Sequence, residues 1–189
     1  MDVLMRMLRR LVLFLACAGS TAQATAGDNL QLHEQEIKAG LLYNFLKYTE
    51  WPDASFSRSA SVTVCVFAGD PFEDNIRPME GRTVNQRDIA VRRISGVRDA
   101  EGCHLLFIHA GEKKRWPDLR EFLSGKNILT VSDFSTFTSS GGMIEFGRKG
   151  SRIDASLNID AVNAAGLHVE ERLLRLVTLV HSGLTEKRP

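Results

Sequence analysis

The chain has 189 residues, of which 24 are basic and 23 acidic, so its formal net charge at pH 7 is +1 with the five histidines neutral. Hydrophobic residues make up 43% of the chain, which is enough to bury the core of one globular domain. The near balance of charge argues against nucleic acid or an anionic membrane surface as a bulk partner.

Residues 1–26 are predicted to be a secretory signal peptide. Three arginines precede an apolar run over 11–18, and small residues allow cleavage near Ala24 or Ala26. Eight apolar residues span only about 12 Å of helix, too short to cross a hydrocarbon core of about 30 Å. Cys17 leaves a lipoprotein signal as an alternative. The expected product is an exported domain over 27–189 with a net charge of about −1, out of reach of ATP and most cytosolic metabolites.

Helices and strands alternate in the predicted domain. Six apolar residues, largely three or four apart, predict an amphipathic helix from Asp28 to Trp51, which Pro52 ends. Apolar, β-rich runs over 61–68, 103–109 and 127–131 predict strands that are buried on both faces, as in parallel sheets.

The remaining segments have weaker patterns. They predict a strand over 87–94 and helices over 72–79, 117–123, 160–165 and 170–181. Runs over 142–146 and 152–157 flank a Gly-Arg-Lys-Gly turn and predict a hairpin. The expected fold is α/β: a single domain with a mixed, mostly parallel sheet, flanked by helices and completed by a C-terminal antiparallel hairpin.

Cys65 and Cys103 are the two cysteines that remain after the predicted signal. In an oxidising compartment, such a pair is most simply interpreted as a stabilising disulfide. A redox-responsive bridge, free thiols and a metal site are the alternatives. The metal signal is weak, because two cysteines and the adjacent His104 match no known zinc spacing.

Candidate catalytic motifs are weak throughout the chain. Asp70 and Asp133 follow predicted strands, where α/β proteins usually bind ligands, but such residues are more often turn or helix-cap residues. The glycines match no phosphate-binding fingerprint, the histidines form no zinc-type pair, and the serines near Asp133 lie in no nucleophile elbow. These patterns predict a protein that is not an enzyme and uses no cofactor or metal.

Two groups of side chains are candidates for recognition. His168, Arg172 and Arg175, with Arg152 on the preceding strand, form a basic cluster that could bind a phosphate or a carboxylate. The alternative is a solvated helix face on which the arginines pair with neighbouring glutamates.

Tyr43, Tyr48 and Trp51 lie near the end of the first predicted helix and are the candidate partner-binding residues. Most aromatic residues of this helix should be in the core. Any that stays exposed would offer the large aromatic surface that protein interfaces favour.

Three stretches of the sequence resemble the YfiR family of periplasmic proteins. They are KAGLLYNFLKYTEWP from Lys38 to Pro52, GGMIEF from Gly141 to Phe146, and LNIDAVNAAGLHVEERLLRL from Leu157 to Leu176. The cysteine pair also looks like the recurrent bridge of the family. The resemblance spans essentially the whole predicted mature chain.

The resemblance implies a non-enzymatic repressor that binds the periplasmic sensor domain of the inner-membrane diguanylate cyclase YfiN and so controls cyclic di-GMP and biofilm growth. It further implies a homodimer, a response to redox state, and a small nucleotide or amino-acid ligand. Glu170 stands beside His168 where a basic residue would be expected, which puts phosphate binding there in doubt. The second disulfide of some relatives is missing. The alternative is a small-ligand binding module that serves a histidine kinase or a transport system.

Overall fold

The computed structural model describes residues 26–57, 59–68, 72–150 and 152–181. Residues 1–25 of the predicted signal peptide, and Asp70, lie outside the described residues. The compact unit that carries the fold is the one that begins at His33.

Short helices and strands alternate along the described residues. The helices are α1 (Ala26–Lys47), α2 (Glu73–Ile76), α3 (Trp116–Leu123), α4 (Ile159–Ala164) and α5 (Glu171–Leu174). The strands are β1 (Thr49–Glu50), β2 (Val62–Phe67), β3 (Thr83–Val84), β4 (Arg87–Ile94), β5 (Leu105–Ile108), β6 (Leu129–Ser132), β7 (Ile144–Lys149), β8 (Arg152–Asn158), β9 (His168–Val169) and β10 (Thr178–Val180).

Eight of these strands form one mixed sheet in the order β10-β8-β7-β6-β5-β2-β4-β3. The five strands from β7 to β4 in this order are parallel. Strands β7 and β8 form an antiparallel hairpin, in register from Ile144 opposite Leu157 to Lys149 opposite Arg152. The predicted mixed, mostly parallel sheet with a C-terminal hairpin is confirmed.

The central strands are apolar along their whole length because both of their faces are buried. In β2, Val64 and Val66 belong to the core that includes the apolar residues of α1. Cys65 and Phe67 point the other way, into a second core with the apolar residues of α3. Since successive strand residues alternate between faces, a strand between two helical layers needs apolar residues at every position.

The predicted helix over 28–51 is too long at its C-terminal end. Helix α1 stops at Lys47, and Thr49 instead pairs antiparallel with Val169 in a separate two-stranded ribbon formed by β1 and β9. The helical apolar pattern continues to Trp51, but hydrogen bonding to a strand more than 100 residues away determines the backbone there. Tertiary pairing thus overrides the local pattern.

The predicted helix over 170–181 is also wrong in its second half. Helix α5 ends at Leu174, and Thr178–Val180 forms β10, which runs parallel to β8 at the edge of the main sheet. The run Val177 to Val180 is rich in β-branched residues, which favour a strand once an open sheet edge is available.

Gly142 precedes β7 at a point where no larger residue fits. A Cβ there would overlap the ring of Phe137, which is fully buried and packs against Trp116 and Phe134. We expect Gly142→Ala to lower the free energy of unfolding by about 1–3 kcal/mol, the usual range for overpacking, as measured by urea denaturation.

Gly147→Ala is the matched control, because a Cβ at this position in β7 would meet no atom within 4 Å. Its expected effect lies within about 0.5 kcal/mol. Equal losses in the two variants would show that the contact with Phe137 is not the cause.

Candidate functional site

The ribbon of β1 and β9 brings together two segments that the sequence analysis treated separately. Glu50 lies opposite His168, and the Glu170 N–H donates a hydrogen bond to the Tyr48 carbonyl at 2.9 Å. Tyr48 is half-buried, whereas Glu50 and His168 are exposed. One candidate partner-binding residue and one candidate ligand-binding residue therefore share a surface.

The other candidate ligand-binding residues lie on different elements. Arg152 is the exposed first residue of β8, and Arg172 is exposed on α5. Arg175 follows α5 and pairs with Glu171 at 2.8 Å, with both side chains largely in solvent. Such an exposed pair contributes little to stability. Ligand binding by this group stays a prediction.

The other two candidate partner-binding residues are half-buried and have internal partners. The Tyr43 hydroxyl donates to the Thr83 carbonyl at 3.4 Å, and the guanidinium of Arg82 lies 5.6 Å from the centre of its ring. The Trp51 indole N–H donates to the His104 carbonyl at 3.1 Å. Both side chains anchor the end of α1 and the segment after it, and their contact with a partner stays a prediction.

Two exposed apolar residues near the C-terminal edge of the sheet were missed by the sequence analysis. Leu176 is 46% exposed, and Leu179, in β10, is 45% exposed. Among the described strands, β10 pairs only with β8 and is therefore the edge strand of the sheet. The backbone groups on the outer side of an edge strand can pair with another chain. The β-branched run that contains Leu179 was the available signal for an edge strand.

A chain of four charged residues fixes α1 to the carboxyl ends of the parallel strands. The Lys38 side chain is only 6% exposed and lies 3.0 Å from Glu34 and 3.1 Å from Asp133. Arg148 lies 3.1 Å from the other oxygen of Glu34. Asp133, which follows β6, also accepts a hydrogen bond from the Ala110 N–H at 2.7 Å.

The contacts of this charged network are those of a stabilising ion-pair network. A cavity of about 250 Å³ adjoins it and is also lined by Glu145. That carboxylate already accepts hydrogen bonds from the N–H and the hydroxyl of Thr138, each at 3.1 Å. The basic and acidic groups alternate and neutralise each other. Asp133 thus binds Lys38 and the Ala110 N–H, which are 95 and 23 positions away, so its contacts are tertiary and differ from the local turn or helix cap expected from the sequence.

Metal-ligand side chains do not cluster in the part of the chain that the structure describes. Within it, no group of three or more His, Cys, Asp or Glu residues could hold a metal ion.

Cys65 and Cys103 form a disulfide, with their Cα atoms 5.8 Å apart. Cys65 lies within β2 and Cys103 just before β5, so the bridge ties together two neighbouring parallel strands. The guanidinium of Arg92 lies 3.4 Å from the Cys103 Sγ and donates to the carbonyls of Asp99 and Glu101. The predicted bridge is present, and a fixed cation lies beside it.

His104, next to the bridge, is only 2% exposed and is enclosed by aromatic rings. Its ring stacks on Phe56 at 4.5 Å and meets the edge of Trp51 at 6.0 Å. Its Nδ1 accepts a hydrogen bond from the Thr63 N–H at 3.0 Å, so the neutral ring carries its proton on Nε2. That Nε2 is buried without a hydrogen-bond partner.

Burial lowers the pKa of His104 below its ordinary value, because the charged imidazolium would lose its hydration. The Ser55 carbonyl opposes this shift, although its position does not complete a hydrogen bond to Nε2. The positive charge of Arg87 lowers the pKa of His104 further. Its guanidinium lies 3.7 Å from the centre of the Phe56 ring. His104 is therefore held in the neutral form.

An open cleft of about 720 Å³ lies beside the disulfide, at the amino ends of β2, β5 and β6. Polar and charged side chains line it, among them Ser57, Arg92, Glu101 and Lys126. None of the four candidate ligand-binding residues is among its lining residues.

Within the described residues, no helix combines the length and the apolar character needed to span a membrane. A family model described as YfiR/HmsC-like matches residues 35–178, a range that contains both cysteines and every candidate recognition residue. This family is regulatory and not catalytic, is periplasmic, and is linked to the YfiN-type diguanylate cyclase system. The match covers most of the chain, and the protein belongs to the YfiR/HmsC-like family.

Proposed function

We propose that this protein binds the periplasmic sensor domain of an inner-membrane diguanylate cyclase and holds the cyclase inactive without catalysing a reaction. Family membership supports the proposal, because the family regulates the YfiN-type cyclase system. The structural observation that carries it is the exposed apolar edge of the sheet at Leu176 and Leu179.

The proposed recognition surface consists of Tyr48, His168, Arg172, Leu176 and Leu179. The last four lie along one continuous stretch that runs from β9 through α5 to β10, and the ribbon brings Tyr48 beside the start of that stretch. An open strand edge can pair with an extended segment of a partner, while leucine side chains bury apolar area beside it. Tyr43 and Trp51 stabilise the end of α1 and the segment after it through their hydrogen bonds to Thr83 and His104.

Leu179→Arg is expected to weaken binding of the purified sensor domain by roughly 10- to 100-fold, since a buried leucine at the centre of an interface contributes about 1–3 kcal/mol. The melting temperature should stay near that of the wild type, because the side chain is exposed in the free protein. Isothermal titration calorimetry measures the affinity.

Ile37→Arg is the matched control, because Ile37 is 38% exposed on α1 and lies outside the proposed recognition surface. It should leave the affinity unchanged. Equal weakening by both variants, or no weakening by Leu179→Arg, would contradict the placement of the surface. Failure of the wild type to lower cyclic di-GMP synthesis by membranes that contain the cyclase would contradict the proposed inhibition.

The cleft beside the disulfide favours a second candidate function, a small-ligand binding module that serves a histidine kinase or a transport system. Its volume of about 720 Å³ and its charged lining suit a small nucleotide or an amino acid. Thermal-shift screening with both compound classes separates the two functions. A tight ligand without any affinity for a cyclase sensor domain would favour this alternative.

We further propose that the protein is exported by cleavage near Ala24 or Ala26, leaving a periplasmic domain over 27–189 that forms a homodimer. The disulfide suits an oxidising compartment. Sequencing the N-terminus of the protein recovered from periplasm, and measuring its mass in solution, are the direct tests.

A further inference from the structure

We propose that His104 is an acid-sensitive switch, whose protonation releases residues 51–57 from the sheet and thereby loosens the recognition surface. The contacts that link His104 to the segment after β1 are observed in the fold. Only the last step, weaker partner binding, rests on the proposed function.

The surroundings of His104 disfavour a second proton on its ring. The neutral ring uses Nδ1 to accept from the Thr63 N–H at 3.0 Å and therefore carries its proton on Nε2. Protonation of Nδ1 would point two N–H donors at each other and remove a hydrogen bond at the start of β2. The resulting cation would also sit in a site closed by Phe56 and Trp51, where its desolvation is costly.

The charges around the ring do not compensate for this cost. Arg87 on β4 stacks on the outer side of Phe56 and disfavours a further positive charge. The charged groups along the adjoining cleft are Arg92, Glu101 and Lys126, so cations predominate there as well. The Ser55 carbonyl is the group that favours the charged ring, and its effect is smaller than that of burial.

The direction of the pH effect follows from these contacts. Burial lowers the pKa of His104 in the folded protein below the ordinary value of 6.5 that it regains on unfolding or local opening. The stabilisation is therefore fully present above about pH 6.5 and is lost as the pH falls toward the folded pKa. Acid should thus favour a state in which the ring is exposed.

The ring is linked to the ribbon through a short path of contacts. Trp51 donates its indole N–H to the His104 carbonyl and directly follows β1. Phe56, which stacks on the ring, belongs to the same segment. When this segment leaves the sheet, β1 loses the anchor that holds it against β9, and the hydrogen bond from Glu170 to Tyr48 is exposed to solvent.

His104→Asn is the test variant, because an asparagine amide oxygen can replace Nδ1 as an acceptor but does not titrate. Backbone protection of the Thr63 and Glu170 amides is measured by hydrogen exchange at pH 7.5 and pH 5.0. We expect wild-type protection factors to fall several-fold at the lower pH, because the opened state takes up a proton on His104 that the folded state disfavours. Protection in the variant should stay constant.

His33→Asn is the control, because His33 is an exposed histidine on α1 that pairs only loosely with Glu36, at 3.8 Å. It should behave as the wild type does. The same loss of protection in His104→Asn would overturn the proposal. If that variant does not fold, the wild type still decides: the loss of protection must begin near pH 6.5 and level off at the pKa that an NMR titration gives for the His104 ring of the folded protein.

Sensor-domain binding at both pH values tests the last step. We expect wild-type affinity to fall several-fold between pH 7.5 and 5.0, and the affinity of His104→Asn to fall less. Absence of binding at pH 7.5 would contradict the proposed function and leave the exchange experiment intact. Binding that is insensitive to pH, together with a loss of protection, would contradict the link between the ribbon and the partner.

Discussion

Replacing both Cys65 and Cys103 by serine is expected to lower the free energy of unfolding by about 4 kcal/mol. The bridge closes a loop with a sequence separation of 38 residues, and the chain-entropy model gives about that stabilisation for such a loop. Domains of this size are typically stable by only about 5–15 kcal/mol in total. Guanidinium denaturation of both proteins measures the difference.

The reduced wild-type protein is the control for this double variant. It should show the same loss, because both lack the loop constraint while keeping the other contacts of the second core. A loss below about 1 kcal/mol in both would show that the bridge does not stabilise the fold. Under the proposed function, reduction of the bridge would weaken inhibition through lower stability.

Replacing Lys38 by methionine is expected to lower the free energy of unfolding by about 3–5 kcal/mol. Methionine preserves the apolar stem but removes the cation from between Glu34 and Asp133, leaving two largely buried carboxylates without their shared partner. Breaking a buried ion pair from one side typically costs this much. Urea denaturation at neutral pH measures the change.

Arg148→Met is the control, because it also removes a cation that pairs with Glu34, but from a side chain that is mostly exposed. Its expected loss is below about 1 kcal/mol. Adding Asp133→Asn to Lys38→Met should recover part of the lost stability, since it removes one of the uncompensated charges. Similar losses in Lys38→Met and Arg148→Met would contradict the role given to the buried lysine.

The Cys65/Cys103 double variant and Lys38→Met act at opposite ends of the parallel strands. The disulfide lies where β5 begins, whereas Lys38 reaches the loops where β5 and β6 end. The disulfide therefore ties two neighbouring strands together at one end, and Lys38 ties α1 to the sheet at the other. The proposed recognition surface lies elsewhere, at the edge strand β10 and the ribbon of β1 and β9.

The sequence was sufficient to predict the central sheet because its signal is local. Apolar runs such as 61–68 mark strands buried on both faces, and the turn between 142–146 and 152–157 marks a hairpin. The cysteine pair predicted the bridge from composition and compartment alone. The family resemblance rested on three linear stretches, which a family model over 35–178 supports.

The wrong predictions concern segments whose backbone pairs with a distant strand against its local preference. Residues 49–50 lie inside a helical apolar pattern that continues to Trp51, but they pair with 168–169, and residues 178–180 form the edge strand β10. The buried contact of Lys38 with Asp133 spans 95 positions and leaves no periodic trace in the sequence.

The sequence by itself therefore determined the alternation of helices and strands, the burial of the central strands on both faces and the cysteine pair, because burial pattern and cysteine count are properties of short segments. Only the tertiary structure decided that Tyr48 meets the His168 segment, that His104 is sealed between rings, and that Leu179 lies exposed on an edge strand. Each of these features depends on hydrogen bonding or packing between residues far apart in the chain, which no local pattern encodes.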